Sequence, residues 1–243
     1  MATDQDNAPP LYRRILLKLS GEALAGDDRF GISADIINRL ALEIREAHEM
    51  GVQIAVVIGA GNFFRGTMGE KLGIKRTTGD HMGMLATVMN SLALQNALEQ
   101  VGVHARVLTA IEMNEVAEPY IIEKAVSHLE KGKVVIASGG TGHPYFTTDT
   151  AASLRGVELG ADVLLKATRV DGVYTADPEL VPGARKIESL DFIDVIRDQL
   201  RVMDLTAISL CMENGLPIVV FNMFEPGALR NILVGEPVGT RIR

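Results

Sequence analysis

Six short apolar runs, at residues 15–19, 54–58, 105–108, 134–137, 163–166 and 218–221, recur along the chain, and most of the segments between them carry apolar residues at helical spacing. Runs of this kind, rich in Val, Ile and Leu without polar alternation, read as strands buried on both faces. Helices must then cover each side of the sheet. The pattern predicts an α/β protein, a three-layer α/β/α sandwich around a mainly parallel central sheet. Helices are expected at 34–50, 81–100, 120–130, 150–159, 204–214 and 226–233. Gly51, Gly102, Gly132, Gly160 and Gly215 stand just past five of these segments, where a left-handed C-terminal residue ends a helix most easily.

With 243 residues, 47% of them apolar, the chain is long enough for a large core. A single domain over 11–243 is expected, after a flexible segment 1–10 whose sequence, MATDQDNAPP, is polar and ends in proline. The net charge of −7 and the lack of a long Lys/Arg run argue against nucleic acid as the main partner. Any bound phosphate should belong to a small molecule. Cys211 is the single cysteine, which excludes an intrachain disulfide and a multi-cysteine metal site and fits a reducing compartment. No stretch approaches 18 uninterrupted apolar residues, so a cytoplasmic protein with no membrane partner is expected. The five histidines show no metal-ligand spacing, and the sequence singles out no metal-binding residue. His81 and His143 fall in expected loops and receive no catalytic role.

In open parallel sheets ligands gather at the carboxyl ends of the strands. Four of those ends carry suggestive loops. Lys18, Leu19, Ser20, Gly21 and Glu22 follow the first run; Gly59, Ala60, Gly61, Asn62, Phe63, Phe64, Arg65 and Gly66 follow the second. The fourth passes through Ser138, Gly139 and Gly140 into TGHPYFTTD at 141–149, and the fifth ends in Lys166, Ala167 and Thr168. The TGHPYFTTD segment sets hydroxyls and a carboxylate where a strand hands over to a helix. Unpaired N–H groups and the positive end of the helix dipole make such a place an anion site, although Ser, Thr and Asp also cap helices with no ligand present. Two lysines, an arginine, backbone donors and one carboxylate are what phosphoryl transfer needs, because the protein mainly positions the reactants and neutralises developing charge.

Duller explanations exist for each part. Lys18 would also suit a strand end that reaches for water, and Gly59-Ala60-Gly61 a plain tight turn. GxGxxG is not met, since Phe64 stands where glycine is required, and no GxxxxGK[ST] element occurs. A dinucleotide fold and a P-loop enzyme are therefore disfavoured.

Taken together, Lys18-Leu19-Ser20-Gly21-Glu22, GAGNFFRG at 59–66, GDHMGM at 79–84, TGHPYFTTD and KATRVDGVYTADP at 166–178 resemble the bacterial UMP kinases of the amino acid kinase superfamily. The likeness spans nearly the whole chain. It implies transfer of the γ-phosphoryl group of ATP to UMP with Mg2+, in a homohexamer, activated by GTP and inhibited by UTP. It also implies an N-terminal lobe on the UMP side and a C-terminal lobe on the ATP side. By position, Lys18, Leu19, Ser20, Gly21, Gly61 and Arg65 are similar to residues around the ATP phosphates, and Thr168, Tyr174 and Asp177 to those that hold adenosine. Ala60, Asp80, Thr141, Gly142, His143, Pro144, Tyr145, Phe146, Thr147 and Thr148 resemble the UMP site. Lys18 and Lys166 would stabilise the phosphoryl group in flight, with Asp149 orienting them; an ordinary helix cap is the other reading of Asp149, and both roles can coexist.

One departure concerns Ala60, because the family commonly has GGGN where this chain has Gly59-Ala60-Gly61-Asn62. A positive φ there would bring strain; a negative φ would not. Gly26, Asp27, Asp28, Arg29, Phe30 and Gly31 resemble the family's GTP-responsive segment, though by composition they are a polar turn before a helix. The helix at 81–100 carries apolar residues beyond one stripe, which suits a second covering surface in its own core or on another subunit. Kinases of carboxylate or carbamate acceptors and a nucleotide-binding storage protein remain open as other uses of a similar fold.

Overall fold

The computed structural model describes residues 9–28, 30–64, 69, 71–176, 181, 183–200 and 202–243. Arg29, Arg65 and Asp177 of the expected sites, and residues 1–8 of the expected flexible segment, lie outside the described residues.

In chain order the strands are β1 (Arg14–Leu19), β2 (Gln53–Ile58), β3 (Ala105–Thr109), β4 (Glu118–Pro119), β5 (Val134–Ser138), β6 (Val163–Thr168), β7 (Val173–Tyr174), β8 (Lys186–Ile187), β9 (Ser189–Leu190), β10 (Ile218–Asn222) and β11 (Thr240–Ile242). The helices are α1 (Gly21–Leu24), α2 (Ala34–Glu49), α3 (Arg76–Gln100), α4 (Ile122–Glu130), α5 (Thr148–Glu158), α6 (Phe192–Arg197), α7 (Leu205–Glu213) and α8 (Ala228–Leu233). The main sheet runs β4-β3-β5-β2-β1-β6-β10-β11-β9. Every pairing in it is parallel except β10 with β11. All six expected strands are present, and the expected three layers form around them.

Alternation along each strand divides the core. Ile15, Leu17, Leu19, Val56, Ile58, Leu165 and Ala167 face α2, α3 and α8, through Leu40, Ile44, Leu94, Leu98, Leu229 and Leu233. Leu16, Ala55, Val57, Val135 and Leu164 face the other way, against Leu129 of α4, Ala151 and Ala152 of α5, Val195 of α6 and Ile208 of α7. Burial on both faces is what made these strands continuous apolar runs. The five glycines expected at helix ends all have positive φ.

Two helix starts that bear on the site are corrected. α3 begins at Arg76, five residues before its expected start, so Asp80 is helical and His81 lies within the helix rather than in a loop at its edge. The first turn has little apolar periodicity to reveal it, and the Arg76–Asp80 ion pair at i,i+4 supports it instead. α5 begins at Thr148, and its cap is Thr147, whose hydroxyl accepts hydrogen bonds from the Asp149 and Thr150 N–H groups at 3.1 and 3.2 Å. Asp149 is thereby released from the capping role that its residue type suggested.

The chain switches direction across the sheet at β1, which lies between β2 and β6. At the carboxyl end of β1 the chain turns into α1 through Gly21, and that turn packs against the loop after β2. A Cβ on Gly21 would lie 2.4 Å from the Gly59 carbonyl oxygen and 2.7 Å from the Gly61 nitrogen, both backbone atoms that cannot swing aside. Gly21→Ala should therefore lower the unfolding free energy by about 1–3 kcal/mol, the usual range for overpacking. A urea-unfolding midpoint equal to wild type would show that the two loops separate freely.

Candidate active site

Residues on neighbouring parallel strands that share a register point to the same side of the sheet. Lys18 of β1 pairs with Lys166 of β6, which sets the two amines side by side on the face covered by α5 and α7. Like charges so placed repel each other. The first turn of α5 brings Asp149 between them. Lys18 Nζ lies 2.8 Å from Asp149 Oδ1 and Lys166 Nζ 2.9 Å from Oδ2, with the three side chains only 10, 14 and 17% exposed in the order Lys18, Lys166, Asp149. Lys166 also donates to the Val202 carbonyl.

Burial pushes the Asp149 carboxyl up, but the charges and hydrogen bonds of Lys18 and Lys166 outweigh it and hold the group below the ordinary carboxylate range. Burial lowers the pKa of Lys166; Asp149 offsets this in part, while the charge of Lys18 adds to the lowering. The carboxylate at the start of α5 also meets the positive end of the helix dipole.

Two clefts open beside this triad. The larger, about 630 Å3, is lined by Ala60, Gly61, Phe64, Arg76, Gly79, Asp80, Gly83, Met84, Thr87, Gly140, Thr141, Phe146, Thr147 and Thr148, with Glu22 at its edge. The smaller, about 260 Å3, is lined by Lys18, Ser20, Glu22, Ala23, Lys166, Ala167, Thr168 and Arg169. Glu22 borders both, so the Gly21 turn is the divide between them. Of the residues expected around UMP, Ala60, Asp80, Thr141, Phe146, Thr147 and Thr148 line the larger cleft. Gly142, His143, Pro144 and Tyr145 belong to the same loop but are not part of that lining. Of those expected near ATP, Lys18, Ser20 and Thr168 line the smaller cleft. Gly61 instead faces the larger, and the Leu19 side chain is buried in the core. Tyr174 donates its hydroxyl to Asp171 at 2.6 Å, and Asp171 also pairs with Lys186 at 3.2 Å.

Asp80 is held by its own surroundings. Arg76 Nε lies 2.9 Å from both carboxylate oxygens, and the Tyr145 N–H donates to Oδ2 at 2.8 Å. Tyr145 has φ of 74°, a conformation unusual for a bulky residue, and the Asp80 bond secures it. Ala60 is absent from the positive-φ residues, so the alanine in the glycine loop adds no backbone strain.

Several residues escaped the sequence reading. Asn90 of α3 donates to the Gly59 carbonyl at 2.8 Å and exchanges amide hydrogen bonds with Asn62 at 2.8 and 2.9 Å, while Asn62 also donates to the Gly31 carbonyl at 2.8 Å. Thr87, one turn earlier, accepts from the Gly139 N–H at 2.8 Å. Asp204 caps α7 through the Ala207 N–H at 3.0 Å and accepts the hydroxyls of Thr147 and Thr150. Thr87, Asn90 and Ser91 are polar at i, i+3 and i+4 within a largely apolar helix, which was the available sign of a buried polar stripe.

A buried pair of cations bridged by one carboxylate, between two clefts at the switch point of a parallel sheet, suits transfer of an anionic group from one cleft to the other. The sequence matches the model of the amino acid kinase family over residues 13–222. The protein belongs to that family. Among solved structures it is similar to the UMP kinase from Bacillus anthracis, at 42% identity with 96% of each chain covered and a TM-score of 0.93. It is also similar to the UMP kinase from Ureaplasma parvum, at 36% identity over 95% of this chain and 98% of that one with a TM-score of 0.90. A more distant likeness is the uridylate kinase from Archaeoglobus fulgidus, at 28% identity, 94% and 99% coverage and a TM-score of 0.72.

The depressed Asp149 pKa carries a sign. Its stabilising contribution is complete above the unfolded value of about 3.9 and is lost as pH falls through the lower folded value. Asp149→Asn, which leaves two buried amines facing each other, should cost about 3 kcal/mol at pH 7. The difference from wild type should shrink as pH drops below about 4, where the unfolded wild-type chain takes up the Asp149 proton while the folded protein still resists it. Urea unfolding of both proteins from pH 3 to pH 7 measures this, and a gap independent of pH would contradict the ionised bridge.

Proposed function

We propose that the protein is a UMP kinase that transfers the γ-phosphoryl group of ATP to UMP, giving UDP and ADP. The observation that carries the reading is the Lys18–Asp149–Lys166 bridge between the two clefts, together with the likeness to bacterial UMP kinases over almost the full chain. UMP occupies the larger cleft, with its phosphate at the α5 N-terminus near Thr147 and Thr148 and its base toward Thr141, Met84 and Phe146. Asp80, already fixed by Arg76, accepts from the ribose hydroxyls. ATP extends from the smaller cleft, with Lys18 to Gly21 along its phosphates and Thr168 and Tyr174 on the adenosine side. Gly61 is assigned to the phosphate divide, and Arg65 and Asp177 keep the ATP roles implied by family likeness. One domain spans 11–243, with the N-terminal lobe on the UMP side and the C-terminal lobe on the ATP side as family likeness implies, while each cleft draws residues from both: 60–87 with 140–148 for the larger, and 18–23 with 166–169 for the smaller.

Magnesium arrives with ATP as part of that substrate and withdraws charge from the polyphosphate. An oxygen of the UMP phosphate attacks the γ-phosphorus as the bond to the β-bridging oxygen breaks, and ADP leaves. The attacking phosphate oxygen is ionised at neutral pH, so no general base is required. Lys18 and Lys166 stabilise the negative charge on the moving group. Asp149 aims the two amines and takes no proton, consistent with a carboxyl whose pKa is already lowered.

GTP activation is assigned to the 26–31 segment, and UTP inhibition is assigned by family likeness. The support for the former is mechanical: Asn62 of the glycine loop bonds the Gly31 carbonyl, its own carbonyl accepts the Gly31 N–H at 3.1 Å, and Phe30 meets Phe63 edge to face at 5.7 Å. A homohexamer is also proposed. Met82, Leu85 and Met89 form an exposed apolar row on α3, which suits contact with a second subunit.

An ATP and magnesium assay across UMP, dUMP, CMP, N-acetylglutamate and carbamate, with and without GTP and UTP, tests the acceptor and the effectors. UMP should be preferred. Turnover of a carboxylate or carbamate instead would overturn the nucleotide acceptor, and absence of any turnover by folded protein would favour a binding or storage role. Lys18→Ala should lower kcat by on the order of a hundredfold or more, the usual loss for one transition-state charge contact. A folded variant with unchanged kcat would remove Lys18 from the reaction.

A further inference from the structure

Arg155 lies two turns into α5, with its side chain 7% exposed, and lines neither cleft. Three contacts hold its guanidinium. Nη1 donates to Glu158 Oε2 at 2.6 Å, the planar group lies over the Tyr120 ring at 3.8 Å from its centroid, and Nη2 donates to the Gly140 carbonyl at 3.2 Å. Glu158, at i+3 on the same helix, would be met equally well by an arginine nearer solvent. The reach inward to Gly140 is the part that helix pairing leaves unexplained.

Gly140 sits at φ of 60° where the chain leaves β5 for the loop that walls the larger cleft, and Gly140 and Thr141 both line that cleft. In a trans peptide the carbonyl and the following N–H point in opposite directions. With the Gly140 carbonyl turned inward to Arg155, the Thr141 N–H is directed away from the helix. The neighbouring walls are Met84 and Phe146, which suit a flat base more than a phosphate.

We infer that Arg155 is a positioning residue of the acceptor cleft: it fixes the Gly140–Thr141 peptide so that the Thr141 N–H is presented to a carbonyl oxygen of the pyrimidine ring. The inference deepens the UMP kinase reading and rests on it. Arg155 touches no reacting atom. A planar fork can hold Glu158, Gly140 and a ring face together; the compact ammonium of lysine can keep the ion pair but not all three.

Steady-state kinetics of wild type, Arg155→Lys and Glu158→Gln, with UMP and ATP varied in turn and melting temperatures recorded, test this. Arg155→Lys should raise the KM for UMP about tenfold or more, while the KM for ATP stays within about twofold and kcat at saturating UMP changes little. Glu158→Gln removes the ion pair but leaves the Gly140 contact, and should lower the melting temperature without the UMP-specific change. If Arg155→Lys does not fold, Tyr120→Leu removes the ring beneath the guanidinium and should raise the KM for UMP alone, by severalfold. An unchanged KM for UMP in the folded variant, an equal rise for both substrates, or the same UMP-specific rise in Glu158→Gln would overturn the positioning role. Failure of wild type to phosphorylate UMP would overturn the kinase reading and this inference with it, whereas wild-type turnover with an unshifted variant overturns the inference alone.

Discussion

Two amines in register on adjacent parallel strands are the constraint around which the rest of the molecule is arranged. At the roughly 5 Å spacing of neighbouring strands, with an effective dielectric near 20, Lys18 and Lys166 repel by roughly 3 kcal/mol. Asp149 makes the pairing tolerable, and it reaches the lysines only because Thr147 takes over the cap of α5 and leaves the next turn free to aim a carboxylate inward. Asp204 then ties the start of α5 to the start of α7. A site that concentrates positive charge is thus held by helix ends and strand register, both rigid, rather than by loop conformation alone.

α3 has a different part in the same arrangement. Its apolar residues pack on the sheet, but its buried polar groups carry the loops: Thr87 holds the turn after β5, and Asn90 holds the turn after β2. The reciprocal Asn62–Asn90 amides satisfy donors and acceptors that burial would otherwise leave costly, and they extend the connection to the carbonyl of Gly31. One helix therefore supports two cleft walls that are far apart in sequence.

The strands were legible because parallel strands covered on both sides are nearly all apolar, and the helices because their ends are marked by glycine. Elements of two to four residues, such as β4, β7, β8 and α1, are too short for a period to show. Lys18, Lys166 and Asp149 were legible singly at strand and helix ends and together only through the family resemblance; the structure supplies the two short distances that join them. Asn90, Arg155 and Asp204 were not found, because they act by reaching another segment's backbone or hydroxyls; polar spacing within α3 marked Asn90 as part of a stripe but not its partner. Arg76 was missed with the first turn of α3, although its i,i+4 spacing to Asp80 was there to read. For Ala60 the sequence left two outcomes, and the backbone angle separates them.

The pairing of β1 with β6 joins distant parts of the chain: the Asp162 carboxylate receives the Arg14 N–H across 148 residues. During synthesis β1 emerges early and waits, with one edge and a lysine exposed, until β6 appears. Contacts of that range slow folding and leave a strand edge open to wrong partners. A lysine within an otherwise apolar run then has a use before any reaction occurs. A one-residue slip would carry it onto the face packed by α2, α3 and α8, and burying an unpaired amine there is costly enough to reject the error. The same charge that sits between the two clefts in the finished fold would thus penalise a slipped register while the fold is being made.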